Sequence, residues 1–313
     1  EHFRKGHDVD FSYVSEDNAR FRVNVFRKET GVGAVFRAIP SDVPSLDSLN
    51  LPPVVKKFCD FHQGMVLVTG STGTGKSTTL AAMIDHLNQT RRLNIISLED
   101  PIEFVHRSKQ SQVIQRELHT HLPSFAEGVR AAMREDPDVI LVGEVRDAET
   151  LDTALRAALT GHLVLATLHA NDAIAALTRL LEMGAERPLL AATLIGTVAQ
   201  RLVRRVCPQC ARPMPVPEEA RLYLGERAPE VEKRGVGCPY CRGTGYRGRI
   251  GVYEVYAPDR EALSRFAQGA GEEALRERAQ ALGHRDLWEV GLLQVRAGMT
   301  TTGELLRVLG LWE

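Results

Sequence analysis

The sequence contains one glycine-rich segment whose residue types and spacing fit phosphate binding. Residues 70–77, Gly-Ser-Thr-Gly-Thr-Gly-Lys-Ser, satisfy the phosphate-loop pattern. In such a loop the glycines let backbone N–H groups wrap the phosphates, while the lysine and the last serine contact a phosphate and a magnesium ion. The candidate nucleotide ligands are therefore Ser71, Thr72, Gly73, Thr74, Gly75, Lys76, Ser77 and Thr78, with Ser77 also the candidate magnesium ligand.

The segments on either side of this loop have the pattern that the motif requires. Met65–Val68 is a short apolar run typical of a buried strand, and residues 77–87 can continue as a helix. Further apolar runs predict strands of the same sheet, separated by stretches long enough for crossover helices: Ile95–Leu98, Val139–Val142 and Val164–Ala166. This alternation predicts an α/β fold with a parallel sheet and helices on its faces.

Polar residues follow each of these strands, at the edge where a parallel sheet binds its ligands. They are Glu99, Asp100 and Glu103 after the first strand, Glu144 and Arg146 after the second, and His169 after the third. A carboxylate at Glu144 would polarise the attacking water or hold the magnesium shell, with Glu99 and Glu103 as the other candidates. His169 would sense the terminal phosphate or would be a structural histidine. The guanine-selecting Asn-Lys-x-Asp pattern is absent from the sequence, which favours ATP over GTP.

The regions before the phosphate loop differ from the α/β part in their residue pattern. Residues 11–36 alternate between apolar and polar residues like half-buried strands, and residues 40–53 hold four prolines. We therefore expect a β-rich domain at 1–40, a linker at 41–53 and an α/β domain at 54–313. The last would include a cysteine-bearing subdomain at 205–256 and C-terminal helices at 260–313.

Length, charge and hydropathy exclude several classes of protein. At roughly 150 residues per domain, 313 residues favour about two domains. The formal charge of −1 gives no general attraction for nucleic acid or anionic lipid, so we expect no nucleic-acid partner. The apolar runs are far shorter than the roughly 20 residues that cross a bilayer, so at most peripheral membrane association is expected. There is no signal-peptide pattern, and because the chain starts at Glu1 rather than methionine, earlier residues could be missing.

Four of the five cysteines form two close pairs. Cys207/Cys210 and Cys238/Cys241 are two Cys-x-x-Cys units separated by 27 residues. Paired units of this kind can close one tetrahedral zinc site, and four thiolates leave no open position, which favours a structural role for the metal. A redox pair or reduced thiols without a ligand are the alternatives. Cys59 is isolated and is expected to be a small buried side chain.

These motifs together resemble the hexameric secretion and pilus motor ATPases, a family that includes type II secretion ATPases and type IV pilus assembly and retraction ATPases. The matching segments are LVTGSTGTGKSTTLAAMIDHLN, the acidic box in IISLEDPIEF, the Walker B segment in REDPDVILVGEVRD and the histidine box in TGHLVLATLHANDA. They span most of residues 64–175, and the resemblance extends to both ends of the chain.

The resemblance implies a Mg²⁺-dependent ATPase with a RecA-like core, a PAS-like N-terminal domain and a homohexameric ring. Its partner would be an inner-membrane pilus or secretion platform protein, and its place the cytoplasmic face of that membrane. In this family, arginines of the β-rich domain approach the nucleotide phosphates, at positions matching Arg22 and Arg37. Arg130, Arg134 and Arg146 would form a basic set near the phosphates or at a subunit boundary. Arginines of this kind are also common on solvated surfaces.

The two halves of the chain resemble different branches of that family. The first half, including QSQVIQREL, is most similar to retraction-type ATPases, whereas the cysteine units and the tail are similar to assembly and secretion types. Retraction, assembly and secretion therefore stay open from the sequence. The rival functions are a nucleic-acid translocase on a related core and a nucleotide-gated binding module without turnover.

Overall fold

The N-terminal region forms a three-stranded antiparallel sheet. The structure, a computed structural model, describes residues 3, 6–17, 19–40 and 42–310, so the expected domain limits at residues 1, 41 and 313 lie outside the described residues. Strands β1 (Val9–Val14), β2 (Arg20–Lys28) and β3 (Gly31–Ile39) pair in chain order. In this register Arg22 on β2 stands opposite Arg37 on β3, so both side chains leave the same face of the sheet.

The proline-rich segment expected as a linker packs in part against the large domain. Leu46 is buried in one hydrophobic cluster with Val55 and Phe58 of helix α1 (Pro53–Phe58). The hydroxyl of Tyr253 donates a hydrogen bond to the carbonyl of Leu49 at 3.2 Å. The division of the chain at 41–53 remains a proposal, and within that segment Leu46 and Leu49 contact the large domain.

A seven-stranded sheet forms the centre of the large domain, in the order β12-β9-β4-β8-β7-β5-β6. All neighbouring pairs are parallel except β12, which runs antiparallel to β9 at one edge. The predicted α/β fold with a mostly parallel sheet is therefore confirmed. The strands are β4 (Gly64–Thr69), β5 (Asn94–Glu99), β6 (Gln112–Glu117), β7 (Val139–Val142), β8 (Leu163–Leu168), β9 (Leu194–Val206) and β12 (Tyr246–Tyr256).

Helices cover both faces of this sheet, which explains the unbroken apolar runs of its strands. Successive side chains of a strand point to opposite faces, so Met65 and Leu67 lie in one hydrophobic cluster and Val66 and Val68 in another. The second cluster contains α1 and α2 (Lys76–Thr90). The first contains α3 (Phe125–Ala132), α4 (Ala148–Leu159), α5 (Ala175–Glu182) and α6 (Arg187–Thr193).

The remaining elements form the cysteine-bearing region and the C-terminal helices. Strands β10 (Ala211–Pro215) and β11 (Val231–Gly235) make a two-stranded antiparallel sheet, with α7 (Glu218–Leu224) between them in the chain. The C-terminal helices are α8 (Arg260–Ala267), α9 (Glu272–Ala281), α10 (Leu287–Arg296) and α11 (Thr302–Leu309). A membrane-crossing helix would need more length and apolar character than any helix in the described residues has.

The carboxylate of Glu304 holds α11 against β9. Its side chain has no exposed surface and accepts hydrogen bonds from Arg204 Nε at 2.9 Å and Arg307 Nη2 at 2.6 Å. Burial raises the pKa of this carboxyl, but the hydrogen bonds and charges of the two arginines outweigh burial and lower the pKa from 4.5 to about 2. A group with a lowered native pKa stabilises the fold above its unfolded pKa and loses that contribution as the pH falls.

We therefore expect Glu304→Gln to lower the free energy of unfolding at pH 7 by about 3 kcal/mol, because it leaves two arginines without their buried partner. The difference from wild type should shrink as the pH falls from about 5 towards 2. Urea unfolding at pH 7 and at pH 3 measures both effects. Glu182→Gln, at an exposed ion pair with Arg179, is the control and should cost about 0.5 kcal/mol or less. Equal losses in the two variants would contradict this role of Glu304.

Candidate active site

The phosphate loop lies between the end of β4 and the start of α2. Its backbone requires glycine: Gly75 has φ of 90°, and a Cβ on Gly70, whose φ is 147°, would stand 2.7 Å from the carbonyl oxygen of Gln200. Among the described residues, no side chain caps the first turn of α2, which begins directly after Gly75. The N–H groups of that turn are therefore left to bind an anion, and the positive end of the helix dipole favours one.

The ammonium of Lys76 closes onto this loop. Lys76 Nζ donates to the carbonyl oxygens of Gly70 at 2.8 Å and Ser71 at 3.1 Å. Burial lowers the pKa of Lys76, although the carboxylates of Glu144 and Glu103 oppose the shift. A phosphate in the loop could replace these carbonyls as the acceptor, because an ammonium binds an anionic oxygen more strongly than a neutral one.

The predicted strand-end residues meet the phosphate loop in one cleft of about 950 Å³. The cleft lies at the carboxyl edge of the parallel sheet, where the sequence places a ligand site. Its walls come mainly from four sources: the phosphate loop with α2, the ends of β5, β7 and β8 with the segments after them, the N-terminal sheet, and the strands β9 and β12. Predicted residues that line it are Thr72, Gly73, Gly75, Lys76, Ser77, Thr78, Glu99, Asp100, Glu103, Glu144, Arg146, His169, Arg22 and Arg37.

Glu144 is held in the cleft by the side chains of Arg146 and His169. Its Oε2 lies 2.6 Å from Arg146 Nη2 and its Oε1 lies 2.9 Å from His169 Nε2, and 19% of its side chain is exposed. Burial raises the pKa of Glu144. The hydrogen bond and charge of Arg146, together with electrostatic interactions with His169 and Lys76, outweigh burial and bring this pKa below its usual value. Glu144 is therefore an ionised carboxylate at neutral pH.

Glu99 has a different environment from Glu144. Its Oε1 accepts hydrogen bonds from Ser97 Oγ at 2.7 Å and from Gln115 Nε2 at 2.9 Å. Burial raises the pKa of Glu99, and these hydrogen bonds offset only part of the shift. A carboxylate with a raised pKa is the better proton acceptor near neutral pH, whereas one with a lowered pKa better stabilises positive charge.

The predicted arginines separate into two groups. Arg22, Arg37 and Arg146 line the cleft, but Arg130 and Arg134 lie in a different groove beside α3. Arg130 pairs with Glu149 at 2.9 Å, and Arg134 donates to the carbonyl of Arg130. Within a single chain these two arginines therefore do not meet the phosphate loop. Their predicted place near the phosphates or at a subunit boundary remains a prediction, and the groove that they line is consistent with the second alternative.

Two residues of the site were missing from the sequence prediction. Arg249 on β12 lines the cleft, although its segment resembles part of the zinc-binding region. Gln200 on β9 fixes the phosphate loop: its Nε2 donates to the carbonyl of Thr74 at 2.7 Å, and its Oε1 accepts from Thr79 Oγ1 at 2.7 Å. Neither belongs to a nucleotide motif, so only the packing of β9 against β4 brings Gln200 to the loop.

The four paired cysteines converge in one cluster. Their sulfurs all lie within 4.8 Å of one another. The Sγ atoms of Cys207 and Cys238, and those of Cys210 and Cys241, are 3.8 Å apart, while those of Cys238 and Cys241 are 3.7 Å apart. A tetrahedral zinc with bonds of about 2.3 Å to four thiolates separates the sulfurs by about 3.8 Å. The donor set and spacing therefore fit a structural zinc.

Comparison with known proteins gives the same family along most of the chain. A family model described as "Type II/IV secretion system protein" matches residues 6–307. The twitching motility protein of Neisseria gonorrhoeae is 50% identical over 208 residues, covering 64% of this chain and 56% of that protein. The type II secretion system ATPase E of Vibrio cholerae is 40% identical over 296 residues, covering 92% of this chain and 58% of that protein.

Solved structures agree with these sequence matches. The crystal structure of the pilus retraction motor PilT with bound ADP has a TM-score of 0.79 and 34% identity, covering 97% of this chain and 78% of that chain. The ATPase DotB of Legionella pneumophila has a TM-score of 0.76 and 27% identity over 96% of this chain and 77% of that one. The chain spans 56% and 58% of the two curated relatives. The resemblance stated from the motifs is confirmed, and the chain belongs to the type II/IV secretion system protein family.

Proposed function

We propose that this chain is an ATP-hydrolysing motor that powers type IV pilus dynamics at the cytoplasmic face of the inner membrane. The observation that carries the proposal is the convergence of the phosphate loop, four carboxylates and four arginines on one cleft. The names of the relatives, which include a pilus retraction ATPase of Pseudomonas aeruginosa and a pilus assembly ATPase of Acinetobacter baylyi, support it. A type II secretion ATPase is the alternative, favoured by the Vibrio cholerae relative that aligns with 92% of the chain.

The phosphate loop would bind the nucleotide. Backbone N–H groups of residues 71–78 would surround the phosphates, and Lys76 would leave the carbonyls of Gly70 and Ser71 to contact a phosphate oxygen. Ser77 would supply the protein hydroxyl to a magnesium ion, whose charge would offset that of the phosphoryl oxygens. The uncapped N-terminus of α2 is the feature of this chain that fits such an anion.

Two of the carboxylates would divide the chemistry according to their environments. Glu144, ionised and paired with Arg146 and His169, would hold the magnesium shell. Its contact with His169 would couple that histidine to the terminal phosphate. Glu99, whose pKa is raised mainly by burial, would accept a proton from the attacking water, with Glu103 beside it in the cleft. Arg22 and Arg37 would spread charge over the phosphoryl oxygens as the transition state forms.

The working form would be a homohexameric ring that acts on an inner-membrane platform protein. The groove with Arg116, Arg130 and Arg134 is then a surface for the subunit boundary, since these arginines lie outside the cleft of their own chain. Nucleotide-dependent movement of the N-terminal sheet would pass force to the platform, because Arg22 and Arg37 link that sheet to the nucleotide cleft.

Phosphate release by the purified chain tests this function against its rivals. We expect Mg²⁺-dependent release from ATP that DNA and RNA leave unchanged. Stimulation by nucleic acid would favour the translocase, and ATP binding without phosphate release would favour a binding module. Stimulation by membrane vesicles that carry a pilus platform protein, but not by those with a secretion platform protein, would select the pilus function.

We also propose that Cys207, Cys210, Cys238 and Cys241 hold one structural zinc ion. The cluster connects the end of β9 to the start of β12, because Cys207 follows β9 directly and its N–H donates to the carbonyl of Gly245 at 2.9 Å. The N–H of Gly245 in turn donates to Cys241 Sγ at 3.3 Å, a bond that stabilises a thiolate. The zinc would thus fix the chain between two strands of the sheet.

The purified chain should contain about one zinc ion per subunit, the number that one set of four thiolate ligands holds. Metal analysis of protein prepared under reducing, zinc-replete conditions measures this directly. Cys207→Ser should lose the metal, because a structural site needs all four ligands, whereas Cys59→Ala should keep it. Chelation should increase hydrogen exchange in residues 207–241 before it affects the phosphate loop. Wild-type protein without zinc would exclude the site.

A further inference from the structure

The amide side chain of Gln115 joins the end of β5 and the loop after it to the edge strand of the sheet. Gln115, on the edge strand β6, donates from Nε2 to Glu99 Oε1 at 2.9 Å and to the carbonyl of Phe104 at 2.8 Å. Its Oε1 accepts from the N–H of His106 at 2.8 Å. These three bonds connect the carboxylate at the end of β5 to the loop that carries Glu103 and lines the cleft.

The orientation of this amide is fixed by its partners. The ionised Glu99 carboxylate and the Phe104 carbonyl beside Nε2 are acceptors, and the group beside Oε1 is a backbone donor, so the reversed amide would break all three bonds. Gln115 also stands directly opposite Ser97 across the two strands, and both donate to the same oxygen of Glu99. Two residues further, Glu117 Oε2 accepts from the N–H of Ile102 at 3.1 Å, which holds the start of the same loop.

We propose that Gln115 is a positioning residue for ATP hydrolysis, which holds the carboxylate of Glu99 and the loop through His106 in the geometry that the attacking water requires. This inference rests on the proposed function, and it adds a residue outside the nucleotide motifs. A misplacement of about 1 Å at a reacting group can lower a rate by about 100-fold, so loss of the three hydrogen bonds of Gln115 should lower kcat.

Hydrogen bonds to a carboxylate favour its ionised form, so Gln115 also keeps Glu99 able to accept a proton. The other charged or titratable groups of the cleft decide the pH range in which this matters. They are Asp100, Glu103 and His106 on the loop after β5, Glu144 and Arg146 after β7, His169 after β8, Lys76 at the start of α2, Arg249 on β12, and Arg22 and Arg37 on the N-terminal sheet.

Two substitutions at this position have opposite expected pH dependences. Gln115→Leu removes both donors, which raises the pKa of Glu99, so its kcat relative to wild type should fall as the pH is lowered. Gln115→Glu keeps the shape but places a second carboxylate against Glu99. On acidification the pair takes up one proton and regains a donor, so its kcat relative to wild type should rise.

Steady-state ATP hydrolysis by assembled wild-type and variant rings from pH 6 to 8, with Mg·ATP affinity measured separately, tests the proposal. At pH 7.5 both variants should lose about 10- to 100-fold in kcat, with ATP affinity within about threefold of wild type. Gln112→Leu and Gln112→Glu, at an exposed position on the same strand, are matched controls and should leave kcat and its pH profile unchanged.

The outcomes separate this inference from the proposed function. A wild-type ring that hydrolyses ATP, with both Gln115 variants at its rate, would overturn the positioning role and leave the ATPase intact. Equal losses of kcat and affinity with parallel pH profiles would assign Gln115 to the fold alone, which also overturns the proposal. A wild-type ring without hydrolysis would instead overturn the proposed function.

Discussion

Replacing Lys76 with alanine is expected to abolish tight ATP binding, whereas Glu144→Gln should keep binding and lose hydrolysis by at least ~100-fold, the scale of removing one group that stabilises charge in the transition state. Lys76 is the ammonium enclosed by the phosphate loop, so its loss removes a charge that the bound nucleotide needs. Glu144 instead lies among Arg146 and His169, where its charge matters for the reacting phosphate. Nucleotide affinity and turnover, measured on both variants, separate binding from chemistry.

Glu99→Gln belongs in the same series, because it tests the second carboxylate separately. It should also bind ATP and lose turnover, since the amide cannot accept a proton from water. The controls are Lys57→Ala and Glu182→Gln. Both positions are exposed, and neither is among the described residues that line the cleft. If Glu144→Gln turned over ATP at near the wild-type rate, Glu144 would have no role in the reaction, and Glu99 and Glu103 would be the candidate catalytic carboxylates.

Arg22→Ala and Arg37→Ala are expected to lower ATP hydrolysis far more than they weaken nucleotide binding. Both side chains enter the cleft from opposite positions on β2 and β3, and a guanidinium there acts mainly when charge develops on the transferred phosphoryl group. Removing an arginine of this kind costs about 10³-fold or more in turnover where its role is direct. Steady-state rates and affinities should be compared above and below the concentration at which the ring assembles.

Arg20→Ala is the matched control, because Arg20 leaves the same face of β2 two residues away but is not among the described residues that line the cleft. It should keep wild-type turnover. If assembled rings of both Arg22→Ala and Arg37→Ala turned over ATP at the wild-type rate, the two arginines would be solvated strand residues. The proposed link between hydrolysis and movement of the N-terminal sheet would then fail.

The cleft at the carboxyl edge of the sheet is the part of this molecule whose lining the sequence predicts best, because its signals are local and share one edge of one sheet. All four predicted strands are present. Each strand contains its predicted apolar run, as β4 contains Met65–Val68, and is as long as that run or slightly longer. The carboxyl ends of parallel strands then bring Glu99, Glu144 and His169 together without further information.

Residues that depend on long-range packing were harder to predict. Arg130 lies on α3 and Arg134 follows its end, and both line a groove other than the cleft, which their positions in the sequence do not show. Arg249 and Gln200 enter the site from β12 and β9, through a register that no local pattern encodes. The burial of Leu46 in the proline-rich segment 40–53 was equally hard to predict, because it depends on packing in one hydrophobic cluster with residues of α1.

We propose that this cleft hydrolyses ATP and does so in an assembled ring. Phosphate release per subunit, measured with Mg·ATP across the concentration range of ring assembly, tests it most directly when Glu144→Gln is the blank. We expect a rate per subunit that rises as the ring assembles, that requires Mg²⁺, and that falls at least ~100-fold in Glu144→Gln. Assembled wild-type rings that release phosphate no faster than Glu144→Gln would contradict it.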